Sequence, residues 1–291
     1  MAVAAGGDVA LLFPFFARPS YQAFHFVLYG CLLYAIIVVS GDGDTQGALL
    51  DMMCLLGIAN ATLLVFQYFG IDPLYTVKSD VVGFMGNPNE ASAMLAFCFM
   101  AFTRKRWVWF IPLIICGFVA CGSAGGPVGV SAGIFIYGIL AGHYVLSILS
   151  VFGCYLFYGL VHGPYSFEGR SSVWEIGMEQ FKDEWLFGHG IGRWKIIFKD
   201  IKETGSWFDN AHNEYVQGMV EMGIGFLAVL SGYLIDIARR FRNNERLHRP
   251  IAALVIILVN SLVNFPFHIA FTAAIAICWL AILEIELRGF A

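Results

Sequence analysis

The sequence predicts an all-α polytopic membrane protein, and three observations support this fold class. Hydrophobic residues make up 59% of the 291 residues and charged residues only 13%, whereas a soluble domain carries about 25% charged residues. Apolar runs long enough to cross a bilayer core of about 30 Å recur along the chain. A single long polar segment, 162–213, interrupts these runs. The net charge is −4 and the basic residues form short clusters, so nucleic acid is not an expected partner.

The apolar runs predict about nine transmembrane helices, separated by polar or glycine-rich turns. Residues 9–17 are too short for a full crossing and contain Pro14, so we interpret them as an interfacial segment. The turn GDGDTQ separates the first two spans, TRKR ends the third, and GSAGG and NFPFH each join two later spans. The predicted spans are 21–40, 47–69, 89–102, 107–122, 127–142, 144–161, 214–237, 250–265 and 269–286.

The basic clusters predict the orientation of these spans. Residues 103–106, 239–249 and Arg288 should all be cytoplasmic under the positive-inside rule. An alternation of spans satisfies all three and puts the long polar segment on the periplasmic side. The predicted division is therefore an N-terminal transmembrane bundle (1–161), a periplasmic catalytic loop (162–213) and C-terminal transmembrane helices (214–291), which together form one membrane domain.

Within the polar segment the sequence predicts two amphipathic helices. Ser172 and Glu175 form an S-x-x-E capping box, which indicates a helix start. The apolar face that follows consists of Trp174, Met178, Phe181 and Trp185. After the turn LFGHGIG a second helix is predicted near Arg193, with an apolar face of Trp194, Ile197, Phe198 and Ile201. We expect both helices to lie on the bilayer surface or on the ends of the spans.

Arg170 and His212 are the leading candidates for chemistry in this segment. Arg170 directly precedes the predicted start of the first helix, where backbone N–H groups favour an anion and a guanidinium offers a bidentate fork for phosphate. His212 directly precedes the seventh span. Together they predict a site for a lipid-linked pyrophosphate. The alternative is that Arg170 pairs with a carboxylate such as Glu168 while His212 caps a helix, and spacing alone favours neither interpretation.

Other polar residues are weaker candidates. Glu90 and Asp51 lie near or within predicted spans, where a carboxylate is costly unless it is paired or faces water. His189 lies between glycines that the turn itself explains. His162 and His268 have no spacing typical of metal ligands, and we expect neither a metal ion nor another cofactor.

Three motifs occur in order along the chain: GNPNEASAMLAF, GRSSVWEIGMEQFKDEWLFGHGIGRW and AHNEYVQGMVEMGIGFLAVL. Together they resemble the O-antigen ligase and O-antigen polymerase superfamily, which includes bacterial protein O-oligosaccharyltransferases. In that superfamily a Gly-Arg motif opens a large periplasmic loop and a His-Asn pair begins the following span. The resemblance extends from residue 45 to the C-terminus.

The resemblance implies a GT-C-like glycosyltransferase that moves a glycan from an undecaprenyl-pyrophosphate carrier to an acceptor hydroxyl, with inversion and without a metal ion. Arg170 matches the loop arginine that holds the pyrophosphate. His212 matches the histidine that activates the acceptor or stabilises the leaving group, and such groups can stabilise charge that develops in the transition state. The implied substrate-binding residues are Arg193, Lys195, Asn213, Asn89 and Glu90.

Two features depart from the family pattern. Ser123 is followed by Ala124 where family members have a Ser-Arg pair, so one phosphate-binding arginine is missing. Arg193 or Lys195 could substitute for it, although basic residues on a surface helix can equally face lipid head groups. The chain also has fewer predicted spans than the usual members. It is therefore a compact active variant, depends on a partner, or has lost activity.

The leading hypothesis is an O-antigen ligase-type enzyme in the bacterial inner membrane, with its site facing the periplasm. The acceptor distinguishes three related activities: a lipid A–core sugar for a ligase, a second lipid-linked chain for a polymerase, and a protein serine or threonine for an oligosaccharyltransferase. A different class, a non-catalytic protein that binds or transports lipid-linked glycan, is favoured by Ala124. An ion-coupled transporter is less supported, because the chain shows no inverted repeat and few intramembrane charges.

Overall fold

The computed structural model describes residues 18–74, 81–161, 168–200 and 210–289, and within these ranges all regular elements are helices. The all-α class is therefore confirmed. Short 3₁₀ helices at Met100–Thr103, Val108–Phe110 and Pro266–His268 supplement the α-helices. The α-helices are α1 (Arg18–Ser40), α2 (Gly43–Tyr68), α3 (Pro88–Phe99), α4 (Ile111–Cys121), α5 (Gly125–Leu140), α6 (Tyr144–Val161), α7 (Glu168–Asp183), α8 (Trp194–Asp200), α9 (Glu214–Met222), α10 (Ile224–Arg240), α11 (Glu245–Asn260) and α12 (Ala270–Arg288).

Among the described residues, two helices are long and apolar enough to cross a membrane by length and composition, namely α2 and α12. Four shorter apolar helical stretches accompany them: Val27–Ser40, Val108–Cys121, Gly125–Leu140 and Tyr144–Phe157. The count of about nine spans stays a prediction from apolar length. The predicted interfacial segment 9–17 and the candidate His162 lie outside the described residues.

The predicted seventh span, 214–237, is wrong as a single helix, because the chain breaks between α9 and α10 at Gly223. This glycine has φ 62° and ψ −150°, a combination that is essentially confined to glycine. A Cβ atom there would lie 2.5 Å from the backbone oxygen of Leu186. Apolar residues continue through the break, so periodicity alone does not reveal it.

The predicted capping box is also wrong. Helix α7 begins at Glu168, so Ser172 lies inside the helix with an exposed side chain, and Arg170 lies in the first turn. The S-x-x-E spacing also matches one turn within a helix, which is why the pattern misplaced the start. Predicted helix bounds are otherwise close, although α11 begins at Glu245, five residues before the predicted span.

The chain divides into two compact units. We call Met1–Leu32 with Pro164–Arg239 the loop unit, and Leu33–Gly163 with Arg240–Ala291 the bundle unit. Each has its own buried apolar core among the described residues.

Small residues on α5 let it pack closely against α11 in the bundle unit. A Cβ atom on Gly133 would lie 2.5 Å from Ile256 Cγ1 and 2.9 Å from the carbonyl oxygen of Ala252. On Gly129 it would lie 2.9 Å from Asn260 Nδ2. Such small-residue faces let helix backbones approach within a membrane protein.

The three basic clusters predicted to share one membrane face are linked within the bundle unit. Arg249 Nε donates to Thr103 Oγ1 at 2.9 Å. This hydrogen bond joins the basic cluster 239–249 to the basic cluster 103–106. Glu284 accepts from Arg240 at 2.8 Å and from Arg288 at 2.7 Å. This linkage is the arrangement that the positive-inside rule requires, while the side of the membrane stays a prediction.

Asp51, which the sequence analysis singled out as costly unless paired, is paired in the same region. Its carboxylate contacts the guanidinium groups of Arg104 and Arg106. The indole N–H of Trp107 donates to the same carboxylate at 2.7 Å. Asp51 therefore acts as a structural ion-pair partner for the first basic cluster.

The close packing of α5 on α11 can be tested with Gly133→Ala. The added methyl group has no room beside the Ala252 carbonyl, so we expect a loss of about 1–3 kcal/mol in the free energy of unfolding. Gly153→Ala on α6 is the matched control, since no atom lies within 4 Å of its Cβ position. Thermal unfolding in detergent measures both variants, and equal midpoints would contradict the packing.

Candidate functional site

The loop unit is built on a small buried core that three helices share. Its buried members are Val173 on α7, Trp194 on α8, Val216 and Val220 on α9, and Ala211. Trp174, Met178 and Phe181 pack against this core, as do Ile197 and Phe198. The predicted apolar faces of both loop helices are thus confirmed, apart from Trp185, which lies beyond the end of α7 and is exposed, and Ile201, which lies outside the described residues.

The backbone of Ala211 is held on both sides. The indole N–H of Trp174 on α7 donates to its carbonyl oxygen at 2.8 Å. Its own N–H donates to Gln217 Oε1 on α9 at 3.1 Å. Ala211 is buried, so these bonds satisfy both of its backbone polar groups away from water. The position of the next residue, His212, follows from this anchoring.

His212 has a strained backbone. Its φ is +50°, and no other non-glycine residue among those described has a positive φ. A left-handed conformation costs an L-residue about 1–2 kcal/mol, so it persists only where neighbouring contacts impose it. On the other side, Asn213 caps α9, because its Oδ1 accepts the N–H groups of Tyr215 and Val216 at 3.0 and 3.1 Å. Strain of this kind concentrates at functional sites.

Arg170 and His212 are electrostatically coupled, although 41 residues separate them in the sequence. The pKa of the His212 imidazole is lowered to about 4, chiefly by burial and additionally by the positive charge of Arg170. Partial burial also lowers the pKa of Arg170, but a guanidinium stays protonated in proteins. At neutral pH the pair therefore consists of a neutral imidazole beside a cation.

The glycine-rich turn between α7 and α8 is bound to the end of α9. His189 N–H donates to the carbonyl oxygen of Val220 and Gly190 N–H to that of Glu221, both at 2.9 Å. A Cβ atom on Gly188 would lie 2.5 Å from the Glu221 carbonyl carbon, so the close approach requires glycine. His189 Nε2 lies 2.9 Å from the carbonyl oxygen of Gln180.

Arg193 and Lys195 lie at the start of α8. The Arg193 carbonyl accepts the N–H groups of Ile196 and Ile197 at 3.0 and 3.1 Å, which places Arg193 at the helix start as predicted. Lys195 is exposed, whereas Trp194 between them is buried and stacks on Phe198 with ring centroids 4.1 Å apart. Their predicted role in substrate binding stays a prediction.

Glu221 is a polar residue that the sequence analysis missed. It is buried at the end of α9, and its Oε2 accepts the N–H of Gly192 at 2.8 Å. Its Oε1 accepts the N–H of Trp194 and the amide of Gln217, both at 3.3 Å. An acidic residue inside the apolar stretch GMVEMGIGFLAVL was the available signal, since such a residue needs partners.

Asn89 and Glu90 belong to the bundle unit, at the start of α3. Asn87 caps this helix and accepts the N–H of Asn89 at 2.8 Å. Asn89 Oδ1 accepts the hydroxyl of Ser123 at 2.8 Å, and Ala124 follows Ser123 directly before α5. Glu90 is partly exposed. The contact with Ser123 links the GNPNE motif to the turn that lacks the family arginine.

A family model described as O-antigen ligase matches residues 83–230, which is half of the chain. The protein therefore belongs to the O-antigen ligase family, as the motifs indicated. Searches of curated proteins and of solved structures gave no match. Membership makes this a membrane protein and implies a glycan-processing ligase or polymerase type, with lipid-linked glycan and an acceptor as the implied substrates. The matched segment contains Arg170, His212 and Glu221.

Removal of the Arg170 charge should raise the pKa of His212. We expect Arg170→Gln to move it above 4 but to leave it below 6.5, because burial is the larger cause of its lowering. Histidine ring resonances, followed by NMR across this pH range in detergent, measure the pKa. Lys182→Gln, at the exposed far end of α7, is the control. An unchanged His212 pKa in Arg170→Gln would contradict the coupling.

His212 should also destabilise the fold in acid. Its pKa is lower in the folded protein than its ordinary value of 6.5, so the unfolded chain takes up a proton first as the pH falls. This destabilisation is absent above about pH 6.5 and grows as the pH falls towards 4. We expect the wild type to lose more stability over this window than His212→Asn. Chemical unfolding at several pH values compares them, and parallel curves would contradict the assignment.

Proposed function

We propose that the protein is a membrane glycosyltransferase that transfers a glycan from an undecaprenyl-pyrophosphate carrier to an acceptor hydroxyl. The coupling of Arg170 to the neutral, strained His212 is the observation that carries this proposal. A cation beside a base suits a reaction with an anionic leaving group and a hydroxyl nucleophile. The proposed setting is a GT-C-like bundle in the bacterial inner membrane, with segment 162–213 facing the periplasm.

In this mechanism Arg170 holds the pyrophosphate with its guanidinium fork. His212 accepts the proton of the acceptor hydroxyl, whose oxygen forms a bond to the anomeric carbon. The bond from that carbon to the pyrophosphate oxygen breaks on the opposite face, which inverts the configuration. Polyprenyl pyrophosphate leaves with the bonding electron pair, and no metal ion is required.

Donor binding would itself prepare the base. With Arg170 unneutralised, the pKa of His212 is about 4, which makes the imidazole a weak base. The negative charge of a bound pyrophosphate offsets the Arg170 charge and therefore raises this pKa towards the operating pH, where general-base catalysis is most effective. His212 is therefore a stronger base when the donor is bound than when it is absent.

Arg193, Lys195 and Asn213 are proposed substrate-binding residues of the loop unit. Arg193 and Lys195 carry cationic groups that suit phosphate. Asn213 follows His212, and its side chain is engaged in capping α9, so it contributes to substrate binding indirectly, by holding the histidine in place. Asn89 and Glu90 are proposed contacts of the bundle unit, where polar groups suit glycan hydroxyls.

The acceptor distinguishes a ligase from a polymerase or a protein O-oligosaccharyltransferase, and the ligase is our leading proposal. Ala124 supports a second candidate, a non-catalytic protein that binds or transports lipid-linked glycan. It stands where the family pattern has an arginine, so the chain has one phosphate-binding cation fewer. Such a binder would need Arg170 but would not need a base at His212.

The test is a glycan-transfer assay in a bacterial strain that lacks its own ligase. We expect His212→Asn to lower transfer by about 10²–10⁴-fold, because it removes the general base. Asparagine tolerates a positive φ better than most residues, so the backbone is preserved. His143→Asn, at an exposed turn of the bundle unit, should leave transfer unchanged. Arg170→Lys keeps the charge but loses the fork, and should lie between the wild type and Arg170→Gln.

Survival of transfer in His212→Asn would overturn the assignment of the base. Absence of wild-type transfer, despite normal membrane expression, would contradict ligase activity on that donor and acceptor. Donor binding by wild type and His212→Asn, lost in Arg170→Gln, would then favour the non-catalytic binder.

A further inference from the structure

We propose that Glu221 is a positioning residue for the transfer reaction, and that it connects the glycine-rich turn to the backbone that carries His212. The expected effect of Glu221 on the reaction rate rests on the proposed function. The hydrogen bonds from which the role of Glu221 is inferred do not depend on that function, and they form a continuous set within the loop unit.

The first part of this connection lies at the start of α8. The Glu221 carboxylate accepts the N–H groups of Gly192 and Trp194, at 2.8 and 3.3 Å. Arg193 lies between these two residues, so the chain is tied to α9 on both sides of it, through the N–H of Gly192 and the N–H of Trp194. Its backbone, and hence the origin of its cationic side chain, is fixed by a group 28 residues further along the chain.

The second part leads from Glu221 to the histidine. Gln217 is buried one helical turn earlier, and its Nε2 donates to Glu221 Oε1 at 3.3 Å. The Oε1 of the same carboxamide accepts the N–H of Ala211 at 3.1 Å. A carboxylate can only accept hydrogen bonds. It therefore orients the Gln217 amide with its nitrogen towards Glu221 and its oxygen towards Ala211, beside the strained His212.

A role beyond packing follows from the chemistry of this position. A buried carboxylate costs stability unless it is hydrogen-bonded, and an apolar side chain of similar size is often at least as stabilising. Here the carboxylate collects three donors from three segments: the turn, α8 and α9. The benefit of this carboxylate is that it fixes the position of Arg193 relative to His212. Catalysis depends on the precise placement of such groups.

Glu221→Gln tests the proposal, because it keeps the shape but replaces one accepting oxygen with a donor. We expect kcat per folded enzyme to fall by about 10²-fold with little change in the KM for donor, since misplacement by about 1 Å can cost this much. In NMR spectra the His212 ring resonance should shift, while that of His143 in the bundle unit should not. Glu179→Gln, exposed on α7, is the matched control and should resemble the wild type in both respects.

A wild-type kcat in folded Glu221→Gln, or an unmoved His212 resonance, would overturn the proposal. If Glu221→Gln does not fold, Gln217→Leu replaces it, because it cuts the link to Ala211 and leaves the Gly192 and Trp194 contacts with Glu221. A wild-type kcat in folded Gln217→Leu would make Glu221 a purely structural residue. If the wild type itself shows no transfer, the proposed function fails, whereas the His212 resonance still decides whether Glu221 positions that residue.

Discussion

The anchored backbone at Ala211 is the constraint on which the rest of the loop unit depends. Trp174 binds its carbonyl from α7 and Gln217 binds its N–H from α9. The carbonyl and the N–H of Ala211 are both hydrogen-bonded, and the Asn213 side chain caps α9. The backbone of His212, which lies between these two residues, therefore has few accessible conformations. The positive φ of His212 is the result. The contacts that impose this strain are buried or partly buried, which limits the competition of water for them.

The electrostatic surroundings of His212 explain why its constrained position matters for chemistry. The partly buried imidazole of His212 beside Arg170 is neutral near pH 7, because its pKa is lowered to about 4. A surface histidine with the same neighbours would be screened by water and would titrate near its ordinary value. The core around Val173, Trp194 and Val216 includes Ala211, the residue before His212, so the packing that stabilises the loop unit also sets the surroundings of the imidazole.

Different interactions stabilise the bundle unit. Its helices approach closely through glycines on α5. Its charged residues collect in ion pairs around Asp51 and Glu284. The Glu284 pairs link 239–249 to Arg288, and the hydrogen bond from Arg249 to Thr103 links 239–249 to 103–106. Both features suit a unit surrounded by lipid, where small residues permit close packing and isolated charges are costly. Asn60, fully buried on α2, follows the same rule, because it donates to the Ala91 carbonyl and accepts the N–H of Phe84.

The sequence by itself determined the helical class, most helix bounds, the family, and Arg170 and His212 as the candidate pair. Apolar length, amphipathic spacing and motif order are properties of the linear chain, so they can be read without a fold. Only the tertiary structure decided the break at Gly223, the inclusion of Arg170 in α7, the strained φ of His212 and the contacts of Glu221. The break, the strain and the Glu221 contacts depend on hydrogen bonds or close approaches between residues distant in the chain, and local patterns carry no record of such partners. The start of α7 escaped the pattern for a local reason, because S-x-x-E spacing also occurs within a helix.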